Sequence, residues 1–333
     1  MTNPTAGAVH VDAALTNISV AFFQNAEHFI AGRVFPTVPV PQQSDRYYVY
    51  DRGDFNRDEA EERAPGTESK GSGFKLDNTP TYFARVYAFH KDLPDQIMAN
   101  ADAAVDLERG AAEFVAHKML IRKEKDFMSR FFVSNVWSNE VAGVAGAPSG
   151  PQVKQWSDLS AGDPIGNIRT AKSTVLESTG FMPNTLVLGQ RVFDVLVDHP
   201  SIVDRVKYSG GVGNQNPAMI NEQTLAALFG VSRVLIGRSI ENVSAEGIAN
   251  DHAFIAGKKA LLCYVAPSPG LLTPSAGYTF SWRGYLNTTN AFGIATSRFR
   301  MQSLKSERVE GEIAMDHKLV SADLGYFWDT IVA

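Results

Sequence analysis

The sequence predicts an α+β fold, and three observations carry that prediction. Residues 101–132 read as one long helix, because Leu107, Phe114, Ile121 and Met128 recur every seven residues, with Ala111 and Phe132 extending the stripe. Residues 156–290 alternate helical and strand-like segments as one α/β unit. Val309, Ile313 and Met315 alternate with Glu310, Glu312 and Asp316, the period of a long half-buried strand. That strand belongs with the aromatic run 81–91 and not with the α/β unit. The helix is also polarised. Asp102, Asp106, Glu108 and Glu113 outweigh Arg109 in its first half, and Lys118, Arg122, Lys123, Lys125 and Arg130 outweigh Glu124 and Asp126 in its second. This order suits the helix macrodipole, so the helix needs little cover, and at about 1.5 Å per residue it runs for roughly 45 Å.

A chain of 333 residues with 44% hydrophobic content fills one large domain or two medium ones. Net charge is −5, and no run of Lys or Arg offers a footprint for DNA or an anionic membrane. The single cysteine, Cys263, lies in the apolar run Leu261–Val265 and is expected to be a buried, inert thiol. The N-terminus has neither the positive start nor the apolar core of a signal peptide, and no stretch approaches the length of a membrane span. These features predict a soluble protein made in a reducing cytosol.

Residues 1–20 are small and polar and read as an arm, followed by a short helical pattern from Val20 to Ile30. Pro36, Pro39 and Pro41 then forbid a helix and a central strand, so this part is extended. Arg46 to Tyr50 is a short aromatic strand. Between Asp51 and Arg63 six acids meet three arginines, with Phe55 the one large apolar side chain, and Pro65-Gly66 and Gly71-Ser72-Gly73 follow. Such a segment buries no core of its own. It is either a disordered linker or an extended hairpin leaning on neighbouring subunits, and the strands that flank it favour the hairpin. The strand 81–91 is expected to be covered on both sides.

Residues 138–155, rich in Gly, Ala, Ser and Pro, read as a boundary loop. Asp163 caps a helix with Pro164 at its first position and Gly180 as its stop. Thr185–Leu188 is a buried strand, Gln190–Asp198 a helix ended by His199-Pro200, and Asn221 to Gly230 brackets a further helix leading to the strand Arg233–Ile236. Strands follow at Ala253–Ala256 and Leu261–Val265.

Chemistry-bearing constellations are sparse. The seven histidines include no pair at metal-ligand spacing, and surface or capping roles suit His117 and His199. Gly210-Gly211-Val212-Gly213 runs into Asn214 and Pro217 and not into a helix, so it reads as a surface loop and not a phosphate cradle. No GxSxG elbow is present. The acids at Asp58–Glu62 and Glu307–Glu312 both read as charged faces that meet Arg and Lys of a neighbour. No cofactor, metal or catalytic residue is expected.

The stretches NISVAFFQNAEHFIAGRVFPTVPV, YYVYDRGDFNRDEAEERAPGTES, TLVLGQRVFDVLVDHPSIVDRVKYS and SERVEGEIAMDHKLVSADLGYFW, in this order, resemble the major capsid proteins of tailed bacteriophages, the Hong Kong 97-type shell fold. The resemblance implies an N-terminal arm (1–50), an extended loop (51–80), a peripheral domain (81–155 and 291–333) holding the spine helix 101–132, and an axial domain (156–290). It implies a non-enzymatic subunit that self-assembles as hexamers and pentamers into an icosahedral shell around double-stranded DNA, assembled in the bacterial host cytoplasm and residing in the virion. The expected partners are a separate scaffolding protein, since Met1 opens directly on the arm, together with a portal and a decoration protein; no membrane is involved. Asp58, Glu59, Glu61, Glu62, Arg63, Lys70 and Lys75 are the expected intersubunit contacts. Lys70 and Lys75 are also the candidate donors, with Asn287 or Asn290 as acceptors, for the cross-link that some members form. An encapsulin-like compartment shell is the alternative with the same fold. A soluble α/β nucleotide-binding enzyme is the alternative of another class.

Overall fold

The computed structural model describes residues 24–101, 106–209, 220–270, 273–286 and 293–333. The arm at 1–20, the glycine loop at 210–213 and the acceptors Asn287 and Asn290 lie outside the described residues. In chain order the first part holds α1 (Ala31–Val34), β1 (Thr37–Val40), β2 (Ser44–Arg46), β3 (Val49–Tyr50), α2 (Arg52–Phe55), β4 (Leu76–Asp77), β5 (Thr81–Phe83), β6 (Arg85–Pro94), α3 (Asp95–Asn100) and α4 (Leu107–Phe131). The middle holds β7 (Asn139–Val144), β8 (Gln152–Lys154), α5 (Pro164–Thr179), β9 (Thr185–Gly189), α6 (Gln190–Asp198), α7 (Pro200–Ser209), α8 (Glu222–Phe229) and β10 (Arg233–Gly237). The last part holds β11 (Ile240–Asn242), β12 (His252–Phe254), β13 (Ala260–Cys263), β14 (Gly277–Trp282), α9 (Arg283–Leu286), β15 (Ile294–Met301), β16 (Ser306–Leu319) and β17 (Gly325–Asp329).

Two sheets organise these elements. In the first, β1, β14, β16 and β15 lie in that order, and β6 pairs along β16. The second runs β10-β9-β13-β17-β7-β8. The period-two strand and the aromatic strand are thus partners: β16 and β6 run antiparallel from Ser306↔Pro94 to Met315↔Arg85. β1 pairs parallel to β14 at the end of its sheet, the position where Pro39 leaves no ladder donor missing.

The spine helix starts at Leu107 and not at 101. The Asp106 side chain accepts the Arg109 N–H at 2.9 Å and caps α4, while Ala101 N–H closes α3 onto Met98 at 3.4 Å. Twenty-five residues give α4 a length of about 37 Å. Its buried row steps by four residues through Ala111, Val115, Met119, Lys123, Phe127 and Phe131, and Ile121 is half-exposed. A row of every fourth residue runs obliquely over a helix, as packing on a twisted sheet requires. Gly311 of β16 permits the close approach, since a β-carbon there would stand 2.5 Å from Val115 Cγ1. Met119, with Ile294, Ile313 and Met315, forms the cluster between α4 and the sheet. Met119→Asp is therefore expected to lower stability by several kcal/mol and Ile121→Asp far less, as read by urea unfolding of the two variants. Lys123 belongs to the buried row and not to the outer face.

The sheets cut across the limits drawn from the sequence. β7 and β8, expected as loop, extend the second sheet, with β7 parallel to β17. β17 also joins that sheet, although it falls in the peripheral stretch, and β14 joins the first, although it falls in the axial one. Gly143 explains the misreading of β7: a β-carbon there would meet the Thr330 carbonyl at 2.5 Å, so the strand must be small to pass. Val20–Ile30 is no continuous helix within the described residues; a 3₁₀ turn at Ala26–His28, capped by Asn25, precedes α1. The aromatic strand at 46–50 divides into β2 and β3, which pair with different partners. The strand read over 81–91 divides into β5 and β6 and is not covered on both faces, since Phe83 of β5 and Val86 of β6 are exposed.

The axial helices form where their caps lie. Asp163 accepts Gly166 N–H at 2.8 Å, Gly180 ends α5 at φ 77°, Asn221 accepts Thr224 N–H at 2.9 Å and Gly230 ends α8 at φ 60°. β9 and β13 are buried throughout, with α5, α6, α7 and α8 supplying one core and α1 and the end of α4 supplying the other. Cys263 sits in the second core, and burial pushes its thiol up to about 12.

Candidate assembly surface

The charged excursion leaves and returns on paired strands. β2 pairs antiparallel with β5 (Ser44↔Phe83, Arg46↔Thr81), and β3 with β4 (Val49↔Asp77, Tyr50↔Leu76). The segment is a hairpin and not a linker. Asp51 caps α2 by accepting Gly53 N–H at 2.8 Å, and Asp54 accepts Lys75 N–H at 2.8 Å from the returning limb. Phe55 does not stand alone. It stacks on Phe74 at 5.4 Å between ring centroids, and Tyr50 meets both rings at 5.8 Å. This ring triad is the hairpin's own small apolar contact, yet Phe55 is 53% exposed and Phe74 60%. A partly covered aromatic triad on a projecting element is a surface suited to a second protein surface.

Of the candidate contact residues, Asp58, Glu61, Glu62, Arg63, Lys70 and Lys75 are exposed and Glu59 is half-exposed. The fold brings Lys70 to Glu61 as an ion pair, and Arg63 donates to the Thr67 carbonyl. Glu59 meets Arg57 at 3.3 Å. Asp58 and Glu62 have no ion-pair partner among the described residues. Exposed pairs such as these add little to the stability of one subunit.

The hairpin's root is tied to the body through charge. Arg52 meets Asp323 at 3.0 Å. On the returning limb, Phe83 N–H donates to Asp316 Oδ2 at 2.9 Å. Arg130 of α4 donates to the other oxygen of Asp316 at 2.7 Å and to the His317 carbonyl at 3.0 Å, and it pairs with Asp126 at 3.0 Å. Asp316, expected to face outward with Glu310 and Glu312, is instead buried, because the hairpin limb and α4 close over that end of β16. His317 beside it is buried too. Burial first, then Lys123 and Arg130, push its imidazole down to about 3, and Nδ1 lies 2.9 Å from Thr279 Oγ1. His199 is likewise a buried side chain, its Nδ1 2.8 Å from Ser201 Oγ.

Three two-point or shared arginine pairs brace the first sheet. Arg308 grips Asp92 at 2.7 and 2.9 Å, Arg300 grips Asp95 at 2.5 and 2.6 Å, and Arg298 joins Glu108 at 2.5 Å and Glu307 at 3.3 Å. The Arg308 hydrogen bonds hold Asp92 below the usual carboxylate range. These pairs tie β6, α3, the start of α4, β15 and β16 to one another. Among the described residues no group of three His, Cys, Asp or Glu side chains could hold a metal, and no helix is long and apolar enough to cross a membrane.

No family model matches the chain. It is 22% identical over 321 residues to the major capsid protein of Burkholderia phage BcepMu, with 95% of each chain covered. It is 26% identical over 324 residues to the major capsid protein of Pseudomonas phage JBD67, with 97% of each covered. Among solved structures it is similar to a phage-related protein from Bordetella bronchiseptica RB50, at TM-score 0.66 and 21% identity over 93% of this chain and 94% of that one. It is similar to the mature capsid of bacteriophage PhiM1 at TM-score 0.57 and 14% identity, covering 96% and 92%. An encapsulin from Synechococcus elongatus PCC 7942 matches at TM-score 0.52 and 11% identity, covering 96% and 95%. The chain has the Hong Kong 97-type capsid fold, and along nearly its whole length its sequence resembles the major capsid proteins of tailed bacteriophages.

Proposed function

We propose that this chain is the major capsid protein of a tailed bacteriophage, self-assembling into the icosahedral head shell that encloses double-stranded DNA. The observation that carries this reading is the end-to-end sequence likeness to two major capsid proteins, each covered to 95% or more. The hairpin supports it physically. Its ring triad and its acids project from the body, and many such weak contacts around closed symmetry add to a stable shell. The role is structural and not catalytic. Hexamers and pentamers are the assembly units, a scaffolding protein, a portal and a decoration protein are the partners, and assembly takes place in the host cytoplasm. Asp58, Glu59, Glu61, Glu62, Arg63, Lys70 and Lys75 contribute the hairpin's side of the intersubunit contact. The first sheet with the spine helix serves as the peripheral domain, and the second sheet with α5 to α8 as the axial one.

The encapsulin-like compartment is the second reading, favoured by the similarity of fold to the Synechococcus shell. Electron microscopy of the purified protein, with its contents analysed, separates the two. Icosahedral particles that hold DNA in the infected host are expected; particles filled with a protein cargo favour the compartment, and a monomer at high concentration in the presence of its scaffold overturns both.

A further inference from the structure

α1 begins without a capping side chain of its own, since Ile30 stands at its N-cap and supplies none. The acceptor comes from the spine helix. Glu124, with 0% of its surface exposed, takes the Ala31 N–H on Oε2 at 2.8 Å, and its other oxygen lies 3.4 Å from Ser239 Oγ. Lys123 lies across the neighbouring turn. Its ammonium stands 3.1 Å from where a β-carbon on Gly32 would be, so glycine leaves it room. Three segments meet at this point. Gln24 takes both backbone groups of Ile240, at 2.8 and 2.7 Å, Lys125 meets Glu241 at 2.5 Å, and Phe29 packs edge-on against His117 at 5.7 Å.

We propose that Glu124 is a proton-operated clasp on the N-terminal segment: neutral, its carboxyl seats Ile30–Val34 against the spine helix, and ionised, it loosens that hold.

A neutral carboxyl accepts the Ala31 N–H and still has a proton to donate to Ser239 Oγ. An ionised one must stay in a buried junction with the Ala31 N–H, one hydroxyl and the Lys123 ammonium for solvation. Burial wins over these partners and pushes Glu124 up to about 7. The sign follows from that direction. The seated form holds the proton more tightly than the released one, so seating is strongest below the ordinary carboxyl range and weakens as pH rises toward about 7. Burial pushes Lys123 down to about 8, so it titrates above this window and restores the hold at still higher pH. His117, lowered by burial and by Lys118, faces Phe29 and acts within the window in the opposite sense. Lys123 and Arg130 both act on His317, and neither His317 nor Arg130 changes charge in this range. Glu241 is engaged by Lys125.

Hydrogen exchange of the full-length subunit, read at residues 30–35 between pH 5 and pH 7.5 and corrected for intrinsic rates, tests the clasp. The opening equilibrium of this segment is expected to rise at least about tenfold from pH 5 to pH 7. Glu124→Gln keeps an acceptor and a donor without the charge, and its opening is expected to stay flat or to fall under the influence of His117. A wild-type profile without the rise overturns the proposal, and so does a Glu124→Gln profile that repeats the wild-type rise. The wild-type titration alone decides the matter if the variant does not fold. The contacts all lie within one subunit, so the result is independent of what the subunit builds.

Discussion

A subunit lacking residues 57–75, its ends joined by a short glycine turn, is expected to fold and to form no shells. The deleted stretch contains no buried residue. The β2–β5 pair, the β3–β4 pair and the Phe83–Asp316 bond all lie outside it. Loop shortening changes closure entropy by about 1 kcal/mol or less, so the thermal transition of the free subunit should barely move. Assembly is another matter. The deletion takes Phe74 out of the exposed ring triad together with Asp58, Glu59, Glu61, Glu62, Arg63, Lys70 and Lys75. Sedimentation and electron microscopy read the outcome, and normal particles from the shortened chain would remove the hairpin from the assembly contacts.

Arg130→Met is expected to cost about 3–5 kcal/mol, the penalty for stripping the partner from buried carboxylates. Asp126 and Asp316 have side chains only 7% and 5% exposed, and Arg130 bonds to both. What remains to Asp316 is the Phe83 N–H and Lys318 at 3.5 Å, and to Asp126 Tyr87 at 3.3 Å and Arg122 at 3.6 Å. Methionine restores the bulk of the side chain but none of its donors. Urea unfolding at neutral pH measures the loss, and a change below about 1 kcal/mol would mean that these secondary partners suffice.

What was legible in the sequence was what is written locally. Asp163-Pro164, Gly180, Asn221 and Gly230 announce the ends of α5 and α8 because a cap needs only its own turn. The alternation in β16 was legible as far as Glu312, where one face is covered and the other open. At Asp316 the same alternation misleads, because the covering pieces come from the hairpin limb and α4, far away in sequence. Lys123 and Glu124 hid the true buried row of the spine helix, since charge at a core position reads as surface. β7 was read as loop because its glycine and alanine answer to the close passage of residues 330–331. Pro200 was read as a stop and does follow the end of α6 at Asp198, but it also opens α7, since the first position of a helix tolerates proline. Of the candidate surface, the charges were legible and the ring triad was not. Phe74 stands 19 residues after Phe55, between Gly73 and Lys75, and only the pairing of β3 with β4 brings the two rings together.

The Phe83–Asp316–Arg130 connection has a mechanical consequence. A pull on the hairpin tip reaches the body along β5, and there it passes through Asp316 into a 25-residue helix and the strand beneath it. Part of the load is thereby passed to the long helix and is not confined to the hairpin's base, where Arg52 meets Asp323. In a shell of the proposed kind, strained from within by its packed contents, tension handed from one subunit to the next would travel from helix to helix through the hairpins as a continuous tensile net.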